Sequence, residues 1–320
     1  MHGIILKAVC CVALGARVGA PFSAESAEPP RLLLGHKGSS ISVAWSPDGT
    51  KLASGSGDRT VKIWDPKTGK TLRTLEGHSN YVYCVDWNPD GTKLASSSYD
   101  RTVKIWNTQS GKLLVTLKGH NSAVMSVDWS PDGKRLVTGS QDKMVKVWNA
   151  TDGSLLRTCK GHTNLIISAQ WSPDGKHIAS GGFDNIVRVW DTTADFQSKN
   201  LVGHKEAIES VGWDSTGKRL ASAGRDNTVI IWSIPSCKRL RTYKGHTLRI
   251  ECVVWSPNNK WLATGSQDKT VRIWDVATGK TLAALTGNGK PIRGVAWSPN
   301  GSLLAIGSED NLVRIWKVTP

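Results

Sequence analysis

The sequence is poor in the residues on which many chemistries depend. Its 320 residues include only three methionines, three phenylalanines, four tyrosines and six cysteines. No two cysteines form a Cys-x-x-Cys pair: Cys10 and Cys11 stand near the start, and Cys84, Cys159, Cys237 and Cys252 are scattered. That argues against a dithiol centre, a zinc ribbon or a disulfide framework, and unpaired small thiols suit a reducing compartment. There is no Gly-x-Gly-x-x-Gly, no complete Gly-x-x-x-x-Gly-Lys-Ser/Thr phosphate loop, no Gly-x-Ser-x-Gly elbow and no His-Glu-x-x-His. The local signatures of nucleotide binding, lipase-type hydrolysis and zinc proteolysis are thus missing. The apolar run Ala8–Leu14 is too short to span a bilayer. Acids are scarce as well, 26 against 41 lysines and arginines, which leaves a net charge of +15.

Against that sparseness stand fifteen tryptophans, and all but one keep a beat of 42 residues. Trp64, Trp106, Trp148, Trp190, Trp232, Trp274 and Trp316 form one series, and Trp45, Trp87, Trp129, Trp171, Trp213, Trp255 and Trp297 another. His36, His78, His120, His162, His204 and His246 take the same step, with Asn288 at the seventh place. Each period reads as four short strands. In the second copy Tyr81–Trp87 alternates toward an Asn88-Pro89-Asp90-Gly91 turn, and Lys93–Ser97 leads to Tyr99-Asp100. Thr102–Trp106 is rich in β-branched residues, and Ser110-Gly111 turns into Leu113–Leu117. A unit of this length cannot bury its faces alone, so the copies must stack.

With Gly-His early, Trp-Asp late and four strands per period, the chain resembles the WD40-repeat family over residues 31 to 320. The expected fold class is all-β, a seven-bladed β-propeller of four-stranded antiparallel blades. The last copy ends after Trp316 without a fourth strand, while Arg31-Leu32-Leu33-Leu34 aligns with Arg73-Thr74-Leu75-Glu76 of the first copy. An N-terminal strand completing the last blade would close the ring and hide its edges. The expected domains are a leader over 1–29, disordered or targeting, and one propeller over 30–320. Lys7 before the apolar run and Ala24-Glu25-Ser26 leave a cleaved export or organelle signal open. The thiols favour a cytoplasmic or nuclear location.

Six copies carry a histidine, a hydroxyl, an aspartate and a tryptophan at fixed offsets. They are His36, Ser54, Asp58, Trp64; His78, Ser96, Asp100, Trp106; His120, Thr138, Asp142, Trp148; His162, Ser180, Asp184, Trp190; His204, Ser222, Asp226, Trp232; and His246, Thr264, Asp268, Trp274. Serine, histidine and aspartate together suggest a hydrolase. A triad, however, is one exposed constellation, whereas this set recurs six times in one local context. The resemblance implies instead a buried chain of hydrogen bonds from the indole N–H through the hydroxyl and imidazole to the aspartate, which rigidifies each blade. In the seventh copy Asn288 and Ile306 replace histidine and hydroxyl while Asp310 and Trp316 remain. Two neighbours lost together fit members that bond each other, and this blade, at the closure seam, is expected to open first. No catalytic residue, cofactor or metal site is expected.

Function is expected where the copies differ. The resemblance places the loops around Gly-His and around the turn aspartate on one face of the disc. The variable positions there are the third and fifth residues after each histidine and the residue before each aspartate. Blade two offers Tyr81, Tyr83 and Tyr99, blade three Ala123, Met125 and Gln141, blade four Leu165, Ile167 and Phe183. Blades five to seven offer Glu209 and Arg225, then Arg249, Glu251 and Gln267, then Arg293 and Glu309. One half of the face is aromatic and apolar, the other charged. That suits a partner with a hydrophobic anchor, and the glutamates could orient a basic segment whose cation meets the tyrosines. The alternative for Tyr83, Met125 and Ile167 is packing against the neighbouring blade.

Much of the positive charge is template charge, since Lys62, Lys104, Lys146, Arg188, Arg272 and Arg314 all stand two residues before a third-strand tryptophan. Spread around a ring, it reads as a solvated surface more than a nucleic-acid groove. The leading function is a non-catalytic scaffold, monomeric within a hetero-complex, that holds a protein or peptide partner. Two alternatives are a polyanion-binding propeller and a substrate receptor of a cullin-type ubiquitin ligase. For the latter, Asp58, Val61, Ile63, Trp64, Asp65 and Lys67 resemble an adaptor-docking motif, with Lys where Arg is usual.

Overall fold

The computed structural model describes residues 29–318, so the expected leader, all but Pro29, lies outside the described residues. Among the described residues twenty-eight strands form seven four-stranded antiparallel sheets, six of them running in chain order from the innermost strand to the outer one. Blade one comprises Ser40–Trp45, Leu52–Ser56, Val61–Trp64 and Thr71–Leu75. Blade seven takes only three strands from its own copy, Ile292–Trp297, Leu303–Ser308 and Val313–Lys317. Its outer strand is Arg31–Leu33, in the register Arg31↔Ile315, Leu32↔Arg314 and Leu33↔Val313. The ring therefore closes as expected, inside a blade and not between two.

The hydrophobic cores lie between blades. Ala53, Val61, Ile63 and Leu75 of blade one pack with Val82, Val85, Trp87 and Leu94 of blade two, and this sandwich recurs around the disc. At the seam Leu33 enters the cluster of Val43, Trp45, Leu52 and Val313. Five of the first-strand tryptophans tie neighbouring blades together: Trp87 Nε1 donates to Ala44 O at 3.0 Å, and Trp45 of blade one to Ala296 O of blade seven at 3.2 Å. Among the described residues the N–H groups of Trp171 and Trp297 have no partner. On the same tryptophan faces sit side chains from the preceding blade, Arg135 over Trp171 at 4.6 Å and Arg219 over Trp255 at 4.7 Å.

Two backbone features explain the repeat punctuation. A Cβ at Gly203 would stand 2.8 Å from Trp232 Cη2, so the residue before the histidine has no room for a side chain beneath the indole. After each turn aspartate the chain enters the left-handed region without glycine, at Arg59, Arg101, Lys143, Asn185, Asn227, Lys269 and Asn311, with φ between 61° and 72°. Each such residue costs about 1 kcal/mol, and the aspartate side chain offsets it by holding the turn.

Candidate functional site

Six blades contain the four-membered chain. Trp Nε1 to hydroxyl is 2.7–2.9 Å. Hydroxyl to His Nε2 is 2.7–2.8 Å. His Nδ1 to Asp Oδ2 is 2.7–2.9 Å. An indole N–H can only donate, so the hydroxyl accepts from it and gives its own proton to Nε2; Nδ1 then carries the proton that binds the carboxylate. The aspartate also accepts the backbone N–H after the histidine, Lys37 at 2.9 Å in blade one, and with its other oxygen the N–H of Thr60 at 2.9 Å. One carboxylate thus fastens two loops. Burial pushes Asp142 up, but His120 and the N–H groups of Asn121 and Met144 outweigh it and bring it down to about 2. Asp226 is likewise lowered to about 2. The six imidazoles are buried, with side chains at most 1% exposed, so these groups are not presented to a substrate.

Blade seven is wired differently. Asp310 binds Arg314, whose Nη1 lies 3.1 Å from Oδ1. Trp316 Nε1 and Asn288 Oδ1 are buried without partners.

The variable positions form one constellation per blade, and a bulge explains it. Every innermost strand slips register at the same place, between Ser40 and Ser42, Val82 and Cys84, Val124 and Ser126, and so on to Ile292 and Gly294. The residue skipped by the ladder is the fifth after the histidine: Ile41, Tyr83, Met125, Ile167, Glu209, Glu251 and Arg293. All seven line the same end of the central channel. Bulges re-aim side chains and are enriched beside functional sites. The other two positions flank the bulge, because the N–H before the aspartate bonds the carbonyl of the third residue after the histidine. Tyr99 N to Tyr81 O at 2.9 Å and Phe183 N to Leu165 O at 2.9 Å are examples.

The aromatic half is open. Tyr81 is 49% and Tyr99 44% exposed, and the Tyr83 and Tyr99 rings lie 6.0 Å apart. Met125, Leu165, Ile167 and Phe183 are half-buried around the same mouth, while Ala123 is buried. The charged half is closed on itself: Arg225 binds Glu209 at 2.6 Å, Arg249 binds Glu251 at 2.7 Å, and Arg293 reaches Glu251 at 3.1 Å and Glu309 at 3.8 Å. Three arginines thus occupy the three glutamates expected to orient a basic segment. Arg225 also lies over the Phe183 ring at 4.2 Å and joins the two halves.

Residues 27–65, 69–107 and 111–149 match the family model of the WD domain, G-beta repeat, and residues 167–319 match that of the WDR19 first beta-propeller. The chain belongs to the WD40-repeat family. Vegetative incompatibility protein HET-E-1 of Podospora anserina is 57% identical over 37 residues, 12% of this chain, and the chain covers 3% of that protein's length. WD40 propellers are in general non-catalytic scaffolds that mediate protein interactions.

Below the mouth, this WD40 propeller has a channel of 490 Å³ with features the sequence reading did not single out. Asp86 and Asp128 project into it from adjacent blades, where other copies have Ala44, Gln170 or Val254. Each carboxylate accepts a backbone N–H from the next blade, Trp129 at 2.8 Å and Trp171 at 2.7 Å. Burial raises Asp86 to about 7, and burial plus the Asp86 charge raise Asp128. An acid directly before the first-strand tryptophan was the visible signal. The channel thiols Cys84 and Cys252 are pushed by burial up to about 12, far from the range of a nucleophilic thiolate. Among the described residues no group of three or more His, Cys, Asp or Glu could hold a metal ion, and no helix is long and apolar enough to cross a membrane.

Proposed function

We propose that this WD40 propeller is a non-catalytic scaffold that binds a protein or peptide partner on the channel mouth of blades two to four and so helps assemble a multiprotein complex. The observation that carries the reading is the open aromatic cluster of Tyr81, Tyr83 and Tyr99 beside Met125, Ile167 and Phe183, facing a half whose charges are already paired. Tyrosines supply large contact area at low entropic cost and are enriched among binding hot spots. With the glutamates occupied, the anchor of the partner is apolar or aromatic and not a free cation. Free thiols at Cys84, Cys159, Cys237 and Cys252 fit a cytoplasmic or nuclear setting.

The test is an affinity pulldown from the source cell with the intact protein beside a Tyr81→Ala, Tyr83→Ala, Tyr99→Ala variant whose circular dichroism matches the parent. Selective loss of partners from the variant is expected. An unchanged partner set would remove the tyrosine cluster from the binding site. Steep weakening with salt of whatever binds would favour a polyanion ligand instead.

A further inference from the structure

The outer strand of blade five, Lys238–Lys244, differs from every other outer strand. It is seven residues long and carries Lys238, Arg239, Arg241 and Lys244. The outer strands of blades two and six, Leu113–Leu117 and Thr281–Leu285, carry no cation, and those of the other four blades carry one each, Arg73, Arg157, Lys199 and Arg31. Three of those four are engaged. Arg31 binds Pro66 O at 2.7 Å, Arg73 binds Gln109 O at 3.0 Å, and Arg157 pairs with Asp195. Among the described residues the side chains of Lys238, Arg239, Arg241 and Lys244 have neither an ion pair nor a hydrogen bond, and all four are exposed.

The strand is nonetheless anchored along its length. It pairs from Thr228↔Lys244 to Ser233↔Lys238, because the irregular loop Ile234-Pro235-Ser236-Cys237 replaces the usual Gly-Lys turn. Tyr243 pins it, stacked 5.8 Å from Trp274 with its hydroxyl donating to Val276 O at 2.9 Å. Hollows flank the strand on both sides, one of 630 Å³ lined by Arg219, Arg241 and Lys260, the other of 420 Å³ lined by Lys205, Arg239 and Lys244. The nearby acids are engaged: Asp226 holds His204 at 2.9 Å, and Asp275 accepts from Thr278 N at 2.6 Å.

We propose that Lys238–Lys244 is a docking edge for an acidic, extended peptide segment of a partner, which adds to the blade as a fifth strand. Its alternate side chains fall to the two faces, so carboxylates at every second position meet Arg241 and Lys260 on one side or Arg239, Lys244 and Lys205 on the other. The free N–H and C=O groups of the edge supply the main-chain bonds, and the exposed Leu240 lies midway along it. Charge on an edge also blocks self-association, but six other outer strands are left with at most one cation. The patch is narrow, confined to this strand with Lys205 on one side and Lys260 on the other, which favours a single peptide over a membrane or a nucleic-acid duplex. This surface is independent of the tyrosine mouth.

The experiment titrates the full chain into a fluorescein-labelled peptide alternating glutamate with valine, read by anisotropy. Arg239→Glu with Arg241→Glu is expected to weaken binding roughly tenfold or more. Lys112→Glu with Lys118→Glu, the same charge change on the rim of blade two, should stay within about twofold, as should the three-tyrosine variant, so this proposal and the mouth reading fail separately. The same peptide N-methylated at alternate residues is expected to bind roughly tenfold more weakly because it cannot donate to an edge. Undiminished binding by the charge-reversed variant or by the N-methylated peptide overturns the proposal. So does tighter binding of a single-stranded oligonucleotide of equal charge to the same strand, which would make the site one for polyanions.

Discussion

Blade three and blade seven come from one template and hold their loops together by different means. In blade three Thr138 links Trp148 at 2.9 Å to His120 at 2.7 Å, and a Cβ at Gly119 would stand 3.3 Å from the indole. In blade seven the hydroxyl is Ile306, the imidazole is Asn288, and nothing lies within 4 Å of a Cβ built at Gly287. Trp316 is only half-buried and its N–H is orphaned, while Asp310 has turned to Arg314. The chain of bonds therefore behaves as a unit. Once its middle is gone one end, Asp310, takes another partner and the other, Trp316, is left without one, and the blade is kept by the Arg31–Leu33 strand and the Leu33 core.

The comparison breaks most sharply at the hydroxyl. Thr138→Val keeps the shape but orphans Trp148 Nε1 and His120 Nε2, and is expected to cost about 3 kcal/mol in denaturant melts. Ile306→Val in blade seven should cost about 1 kcal/mol, a simple loss of one methylene. Equal costs would mean that the network is decorative. Native-state hydrogen exchange should next show amides of Val313–Lys317 opening at a free energy about 2 kcal/mol below those of Val145–Asn149, and the reverse order would refute early opening of the seam.

Acid sharpens the contrast further. The six network aspartates are held below their unfolded pKa of about 3.9, Asp142 and Asp226 at about 2. Their contribution is complete above pH 4 and is lost as pH falls through 2, because the unfolded chain takes up protons first. Melting temperature is expected to drop steeply across that window, and somewhat less for His120→Asn, which removes the imidazole partner of one of the six aspartates. The smallest effect should be shared by both blades. Lys143→Gly and Asn311→Gly relieve the same left-handed turn, at φ 70° and 71°, and each should shift stability by no more than about 1 kcal/mol.

The repeat was legible because its punctuation has physical causes that act within one copy: a glycine under an indole, a turn aspartate, a hydroxyl between two nitrogens. Closure by Arg31–Leu33 was legible for the same reason, as a fourth strand missing at one end and spare at the other. What escaped was whatever joins different copies. The bond from Trp87 to Ala44, the stacking of Arg135 on Trp171 and the meeting of Asp86 with Asp128 all span about one period, and apart from the acid before the first-strand tryptophan nothing within a single copy announces them. The pairing of Arg293 with Glu251 and Glu309 escaped likewise, since it requires knowing that bulges aim these chains at one mouth.

The bulge carries a consequence for how such a molecule changes over generations. At Ile41, Tyr83, Met125, Ile167, Glu209, Glu251 and Arg293 the backbone has already left the ladder, so the side chain there is relieved of any duty in strand pairing. The four uncharged sockets, one in each of blades one to four, can be refitted by a single codon without renegotiating the rest of the disc, whereas a change at Glu209, Glu251 or Arg293 strands an ion-pair partner.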